Sequence, residues 1–248
     1  MKFKIFTSAM LLFIISFSFM ANGQQMQVSV ENLSAKEKGL ITISAFAAKG
    51  DLKNLETSMH AALDAKLSVN EAKEAMMHLY AYAGFPRSLR GLQTLMKVVA
   101  DRKTKGLNDL QGPVATVLTD TTSKYERGKQ NLEKLTGVKE KGPKTGYAAF
   151  APEIEVFLKE HLFADLFDRD LLSFLDRELV TISVIAGIGE AEPMLTSHMN
   201  ICLNLGLSQT KLQEFVKLIQ LNLGEKHGAA AQNVLNHVLK NYNTKKNN

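Results

Sequence analysis

Two stretches of this chain repeat one another. Ser34-Ala-Lys-Glu37, Leu40-Ile-Thr-Ile-Ser44 and Gly84 recur as Ser173-Phe-Leu-Asp176, Leu179-Val-Thr-Ile-Ser183 and Gly224, at a spacing of 139 that becomes 140 after the first turn. Leu67-Ser68 likewise matches Leu207-Ser208. A sequence that repeats on this scale predicts one supersecondary unit used twice. The unit is helical. Each copy opens with a Ser and an acid three residues on, the capping-box pattern, and runs into an apolar stretch too long for a strand. Ser68 and Glu71 form a second box, and the helix after them, Val69 to Ala83, is expected to end before Gly84, as Gln209 to Leu223 ends before Gly224. Period-two alternation is missing, and the short β-branched run Val28 to Val30 reads as an arm rather than a strand. The fold class is all-α.

The stretch from Ser173 to Gly206 is the best-defined part of the repeat. Its first helix carries Leu179, Val180, Ile182, Val184, Ile185 and Ile188, apolar almost all round, so it should be buried. Gly187, Gly189 and Pro193 are expected to break it. The next helix sets Met194, Leu195, His198, Ile201, Cys202 and Leu205 on one stripe, with Thr196, Ser197, Asn200 and Asn204 opposite. His198 is thus the only polar side chain on an apolar face. Such a histidine serves one of two ends, packing with a hydrogen-bond partner or acid–base chemistry near neutral pH.

These residues carry a resemblance. Arg177-Glu178-Leu179-Val180-Thr181-Ile182, a glycine- and acid-rich turn, then His198 followed by Gly206-Leu207, resembles the signature of the carboxymuconolactone decarboxylase family, relatives of the alkylhydroperoxidase D proteins. Tyr125-Glu-Arg-Gly128 through Leu135-Thr-Gly137 resembles the first helix of that domain, and Phe150 to Phe157 its second. Tyr80-Ala-Tyr82-Ala-Gly-Phe-Pro-Arg87 resembles the family's Tyr-Ala-Gly-x-Pro segment. The resemblance implies an alkylhydroperoxidase D-like helical bundle in two tandem copies: a shortened domain at 31–100, a linker at 101–120 and a complete domain at 121–242.

The chemistry it implies is narrowed by what the chain lacks. A peroxidase of this type needs a Cys-x-x-Cys pair, in which one thiolate attacks and the other resolves the intermediate. Seven and four residues before His198 stand Ala191 and Met194, and Cys202 is the chain's single cysteine, read here as a core residue. No intramolecular disulfide can form. No His/Asp/Glu pair has the spacing of a recognised metal site, so neither metal nor cofactor is expected. What remains is cofactor-free acid–base chemistry. The resemblance places His198 at the active site as proton donor, with Arg177 as a carboxylate clamp or a helix brace, and Asp165 where relatives carry glutamate. Ser58 stands in the first copy where the second has His198. The recognisable parts are therefore divided between the copies, and Tyr80, Tyr82 and Arg87 of the first are expected to close a composite pocket over His198 and bind substrate there.

The N-terminus has Lys2 and Lys4, an apolar run from Ile5 to Met20 and then Ala21-Asn22-Gly23, the pattern of a secretory signal peptide over residues 1–23. An exported protein is expected, periplasmic if the source is Gram-negative. The net charge of +5 does not point to nucleic acid: two of the positive charges lie in the signal, and residues 101–146 hold ten Lys/Arg against six Asp/Glu, leaving the rest close to neutral. The apolar fraction of 45% is that of an ordinary globular protein. Helices apolar on nearly all sides favour a homo-oligomer, a trimer first and a dimer second, without a membrane partner. Two functions fit: a lyase or isomerase acting on a small carboxylated lactone or related acid, and a non-enzymatic small-ligand-binding or assembly protein on the same scaffold.

Overall fold

The computed structural model describes residues 32–246, and the expected signal peptide and the Val28–Val30 arm lie outside them. Among the described residues there are ten α-helices, one π-helix and no strand: the protein is all-α. The helices are α1 (Ala35–Lys49), α2 (Leu52–Asp64), α3 (Val69–Thr104), α4 (Lys124–Thr136), α5 (Gly146–Phe150) and α6 (Pro152–Phe157), then the π-helix (Leu158–Leu166), α7 (Phe174–Ile188), α8 (Glu192–Asn204), α9 (Gln209–Leu223) and α10 (Glu225–Lys246).

The caps explain the boundaries. Full capping boxes close the starts of α1, α3 and α7, through Ser34 with Glu37, Ser68 with Glu71 and Ser173 with Asp176. Each satisfies two N–H groups that the first helical turn leaves without intrahelical partners. Gly84 (φ 76, ψ 165) interrupts α3, and Gly224 (φ 93, ψ 176) ends α9, in backbone conformations that disfavour a Cβ. After Gly84 the chain turns helical again at Phe85-Pro86 and runs to Thr104, into the stretch expected as linker.

The centre of the molecule is the pairing of α1 with α7. Leu40, Ile41, Ile43 and Ala45 to Ala48 of α1 are buried, as is every α7 residue from Arg177 to Gly187. Around this pair pack α2, α3, α8, α9 and α10, sharing one continuous core. Gly187, expected as a helix breaker, lies inside α7, because a Cβ there would stand 2.8 Å from the Ala45 carbonyl oxygen and 3.0 Å from Ala48 Cβ. The missing side chain lets the two central helices touch.

A smaller apolar cluster joins α4, the π-helix and α8: Leu135, Leu162, Phe163, Leu166, Phe167 and Ile201, with Tyr80 and Tyr82 against it. The π-helix is set on α4 at Gly128, where a Cβ would come within 1.8 Å of the Lys159 carbonyl oxygen. Residues 107–121 have no regular structure yet are held, since Val69 N–H and Asn70 N–H donate to the carbonyls of Leu110 (2.8 Å) and Gln111 (3.0 Å). They complete the N-terminus of α3.

The Gly128 contact is with backbone, which cannot rotate away. We expect Gly128→Ala to destabilise the protein by about 1–3 kcal/mol, the usual cost of overpacking. Chemical denaturation read by circular dichroism will measure it, and since Gly128 lies inside α4 in helical backbone, the contact with Lys159 alone is tested.

Candidate active site

Arg177 and Glu178 are consecutive on α7 and point to different neighbours. Arg177 is fully buried and reaches α3, where its Nη2 donates to Glu74 Oε1 at 2.7 Å. The same nitrogen donates to the Arg169 carbonyl at 2.6 Å, and Arg169 holds Glu74 through a two-pronged pair at 2.8 and 2.9 Å. Burial pulls the Glu74 carboxyl upward, and the two guanidinium groups outweigh it, holding it below the usual range. Next to this pair His78, also fully buried, lies 3.4 Å from Arg177 Nη1 through Nδ1 and 3.0 Å from the Thr181 hydroxyl through Nε2. Burial, then the charge of Arg177, keeps His78 well below its ordinary range.

Glu178 turns toward α8. Its Oε2 is 2.7 Å from His198 Nδ1, the carboxylate 0% and the imidazole 13% exposed. Pairing Nδ1 fixes the ring and leaves Nε2 for a ligand. The ring of Tyr82, from α3, meets His198 edge-on at 5.7 Å and 84°. Two complementary groups here lack a partner, Glu178 Oε1 and the Tyr82 hydroxyl. Thr181 is near enough to favour the phenolate slightly but outside hydrogen-bond geometry. Burial and the Glu178 charge dominate and push the Tyr82 phenol far upward, so it stays protonated.

His198 and Tyr82 open onto a cavity of about 520 Å³. Its walls are mainly apolar, including Leu162, Phe163, Ile185 and Ile201, with Glu140, Glu155 and Lys159 as further charged members. That is the size and character of a small-molecule site.

Of the residues expected at the site, the structure brings His198 and Tyr82 together. Arg177 stays out of the cavity, because Glu74 and the Arg169 carbonyl take its guanidinium: it braces α7 to α3. Asp165 pairs with Lys124 at 2.9 Å and His161 at 3.2 Å near the surface. Tyr80 stacks on Phe85 at 4.6 Å beside a separate groove. Arg87 lies over Gly50 and lines a cleft with Lys49 and His227. Sequence reasoning missed Glu178 and Lys159. A signal existed for Glu178: a carboxylate inside a helix apolar all round must find a partner.

Cys202 is buried in the core one turn after His198, and burial, with the Glu178 charge second, pushes its thiol well up. Among the described residues no group of three His, Cys, Asp or Glu is placed to hold a metal ion, and no helix is long and apolar enough to cross a membrane.

Residues 17–95 match the carboxymuconolactone decarboxylase family. No curated protein matches the chain. The match spans α1, α2 and α3 as far as Leu95, so it includes Tyr82 and stops short of Glu178 and His198. The family segment thus supplies one wall of the cavity, and the Glu178–His198 pair comes from the part of the chain beyond it.

Two measurements follow. The Cys202 thiol should react with an aromatic disulfide reagent at least about a hundredfold more slowly in the native protein than in denaturant, since only the exposed thiolate attacks. For His78 the sign is set by its lowered value. The unfolded chain takes up a proton near 6.5 that the folded one refuses, so stability is present above about pH 6.5 and declines below it. His78→Gln should flatten that decline between about pH 6.5 and 5 in urea titrations.

Proposed function

We propose that the chain is a carboxymuconolactone decarboxylase-like protein with one acid–base site, at which His198 moves a proton to or from carbon of a small, largely apolar acid or lactone without a cofactor. The observation that carries this reading is the 2.7 Å Glu178–His198 pair opening onto a cavity of ligand size. In a decarboxylation the C–C bond breaks, carbon dioxide leaves and the electron pair stays on the substrate as a dienolate. Protonated His198 delivers Nε2–H to that carbon, and buried Glu178 steadies the imidazolium until the proton leaves. An isomerisation uses the same group in both directions. Tyr82, neutral and edge-on to the imidazole, limits its rotation and carries a hydroxyl without a hydrogen-bond partner in the protein.

A thermal-shift screen with lactones and dicarboxylic acids, followed by turnover of the hits, tests this. His198→Ala and Glu178→Gln, each first shown by circular dichroism to be folded, should lower kcat by about 10²–10⁴, the range for losing a positioned general acid or its partner. Ligands that bind but are never turned over, with affinity unchanged in His198→Ala, would replace catalysis by the binding-protein reading. Dithiol-dependent peroxide consumption should not rise above background, because one buried thiol cannot cycle.

Self-association belongs to the same reading. Phe150 (92% exposed), Phe157, Ile154 and Tyr147 lie on α5 and α6 beside the cavity, more apolar surface than two short helices ordinarily leave in water. We expect a trimer, with a dimer second. Light scattering that gave a monomer at micromolar concentration would remove this part.

A further inference from the structure

Lys159 is an ammonium group placed where lysines are rarely found. Its side chain is 2% exposed, on the π-helix, in the wall of the cavity that His198 enters. Burial alone would depress it, and its hydrogen-bond partners more than offset this, so it is held above the ordinary lysine range. Two of those partners come from the packed body. Glu155 Oε1, one turn back, is 2.5 Å away, and the Tyr125 hydroxyl of α4 is 3.0 Å away, with the Tyr125 ring 4.6 Å below the charge.

The third partner is of another kind. Glu140 sits in the loop between α4 and α5, and its carboxylate also reaches Lys159 Nζ. That loop carries Gly137 and Gly142 and leads into Gly146 at the start of α5, all with positive φ, and a Cβ at Gly142 or Gly146 would meet nothing within 4 Å. The Glu140 end of the loop is tied by its own N–H to Glu133 Oε1 (3.1 Å) and by its carboxylate to Lys159 and Lys144. Lys144 also pairs with Glu155, so the cluster is two lysines against two glutamates, electrically closed.

Removing Glu140 from this cluster leaves a buried ammonium short of one anion, facing an apolar cavity. An uncompensated charge there is costly, and an arriving carboxylate would restore the balance on the same donor. Glu155 cannot be exchanged in the same way, because it is fixed on α6 one turn from Lys159. Glu140 can, because it sits between Gly137 and Gly142, both with positive φ, and can swing out while Lys144, beyond Gly142, stays on Glu155 and leaves the two lysines sharing one glutamate.

We propose that Lys159 is the anion subsite of the His198 cavity, occupied in this state by the chain's own Glu140, and that a small organic acid binds with its carboxylate in place of Glu140 and its apolar body against Leu162, Phe163 and Ile201. This rests on reading the cavity as the ligand site. It gives the carboxylate the cation that Arg177, committed to Glu74, does not supply. It also makes the loop a latch, released by ligands that bear a negative charge.

The test is calorimetric titration of the full chain with benzoate and with benzamide, which match in size and differ in charge. Benzoate should bind the wild type more tightly than benzamide. Glu140→Gln, a loop substitution that leaves the core untouched, should raise benzoate affinity about tenfold and leave benzamide unchanged, since the internal competitor is gone. Lys159→Met should erase the difference between the two ligands, with circular dichroism confirming that it folds; should it not fold, the Glu140→Gln arm decides alone. Failure of Glu140→Gln to bind benzoate, or equal affinity for both ligands in that variant, overturns the proposal. His198→Ala separates the two readings. A carboxylate preference that survives His198→Ala supports the subsite whether or not turnover exists. A preference lost in His198→Ala and kept in Lys159→Met places the anion at His198, overturning the subsite while leaving the acid–base reading standing.

Discussion

The buried pair of Arg177 with Glu74 sets the geometry on which the site depends. A guanidinium that is fully buried has no freedom to lie elsewhere than on its partner, so the pair fixes both the separation of α7 from α3 and the rotation of α7 about its axis. Consecutive residues on a helix point about 100° apart. With Arg177 turned to α3, Glu178 is delivered to α8 and meets His198. The same anchor places α3, and with it Tyr82, against the imidazole. One ion pair outside the cavity thereby positions Tyr82 on its wall and, behind the wall, the carboxylate that holds His198. Breaking it would cost about 3–5 kcal/mol, because a charge would be left buried without compensation.

Much of the fold was legible because its signals are local. Capping boxes at Ser34, Ser68 and Ser173, and chain reversals at Gly84 and Gly224, are set by chemistry within four residues, and the structure keeps each at its expected place. The π-helix was not legible. Its run of Leu158, Leu162, Phe163 and Leu166 fits an α-helix as well, and the close approach of Gly128 to the Lys159 carbonyl comes from a helix about thirty residues away, beyond the reach of a local pattern. Gly187 was misread for the same reason: a glycine inside an apolar helix looks like a break unless the facing helix, here α1, is known.

The site was legible in part, and the division follows the range of the interactions. His198 stood out as a polar residue on an apolar stripe, and its partner lay in the helix before it. Lys159 gave no signal. It resembles any surface lysine in sequence, and its burial depends on Tyr125, Glu140 and Glu155 converging from three elements. Tyr80 and Tyr82 are two residues apart and were expected to act together. Two residues turn a helix by about 200°, so they face opposite ways, Tyr82 to His198 and Tyr80 to Phe85 and His161.

The two related stretches of sequence are unequal in chemistry, and the inequality has a packing reason. At the spacing of 139 that aligns their caps, Gly39 stands where Glu178 does, and at 140, Ser58 stands where His198 does. A Cβ on Gly39 would lie 3.2 Å from Ala62 Cβ, so α2 has closed onto α1 where a carboxylate would need room. Ser58 donates to the Leu55 carbonyl, within its own helix. The segment that matches the carboxymuconolactone decarboxylase family is thus the one without the carboxylate–imidazole pair, and what it contributes to the cavity is Tyr82 and the α3 surface around it. A carboxylate with no imidazole beside it would be a buried charge without compensation, which explains why both members are missing together rather than one. The carboxylate–imidazole pair of α7 and α8 has no counterpart on α1 and α2, and α3 contributes Tyr82 to the cavity onto which His198 opens.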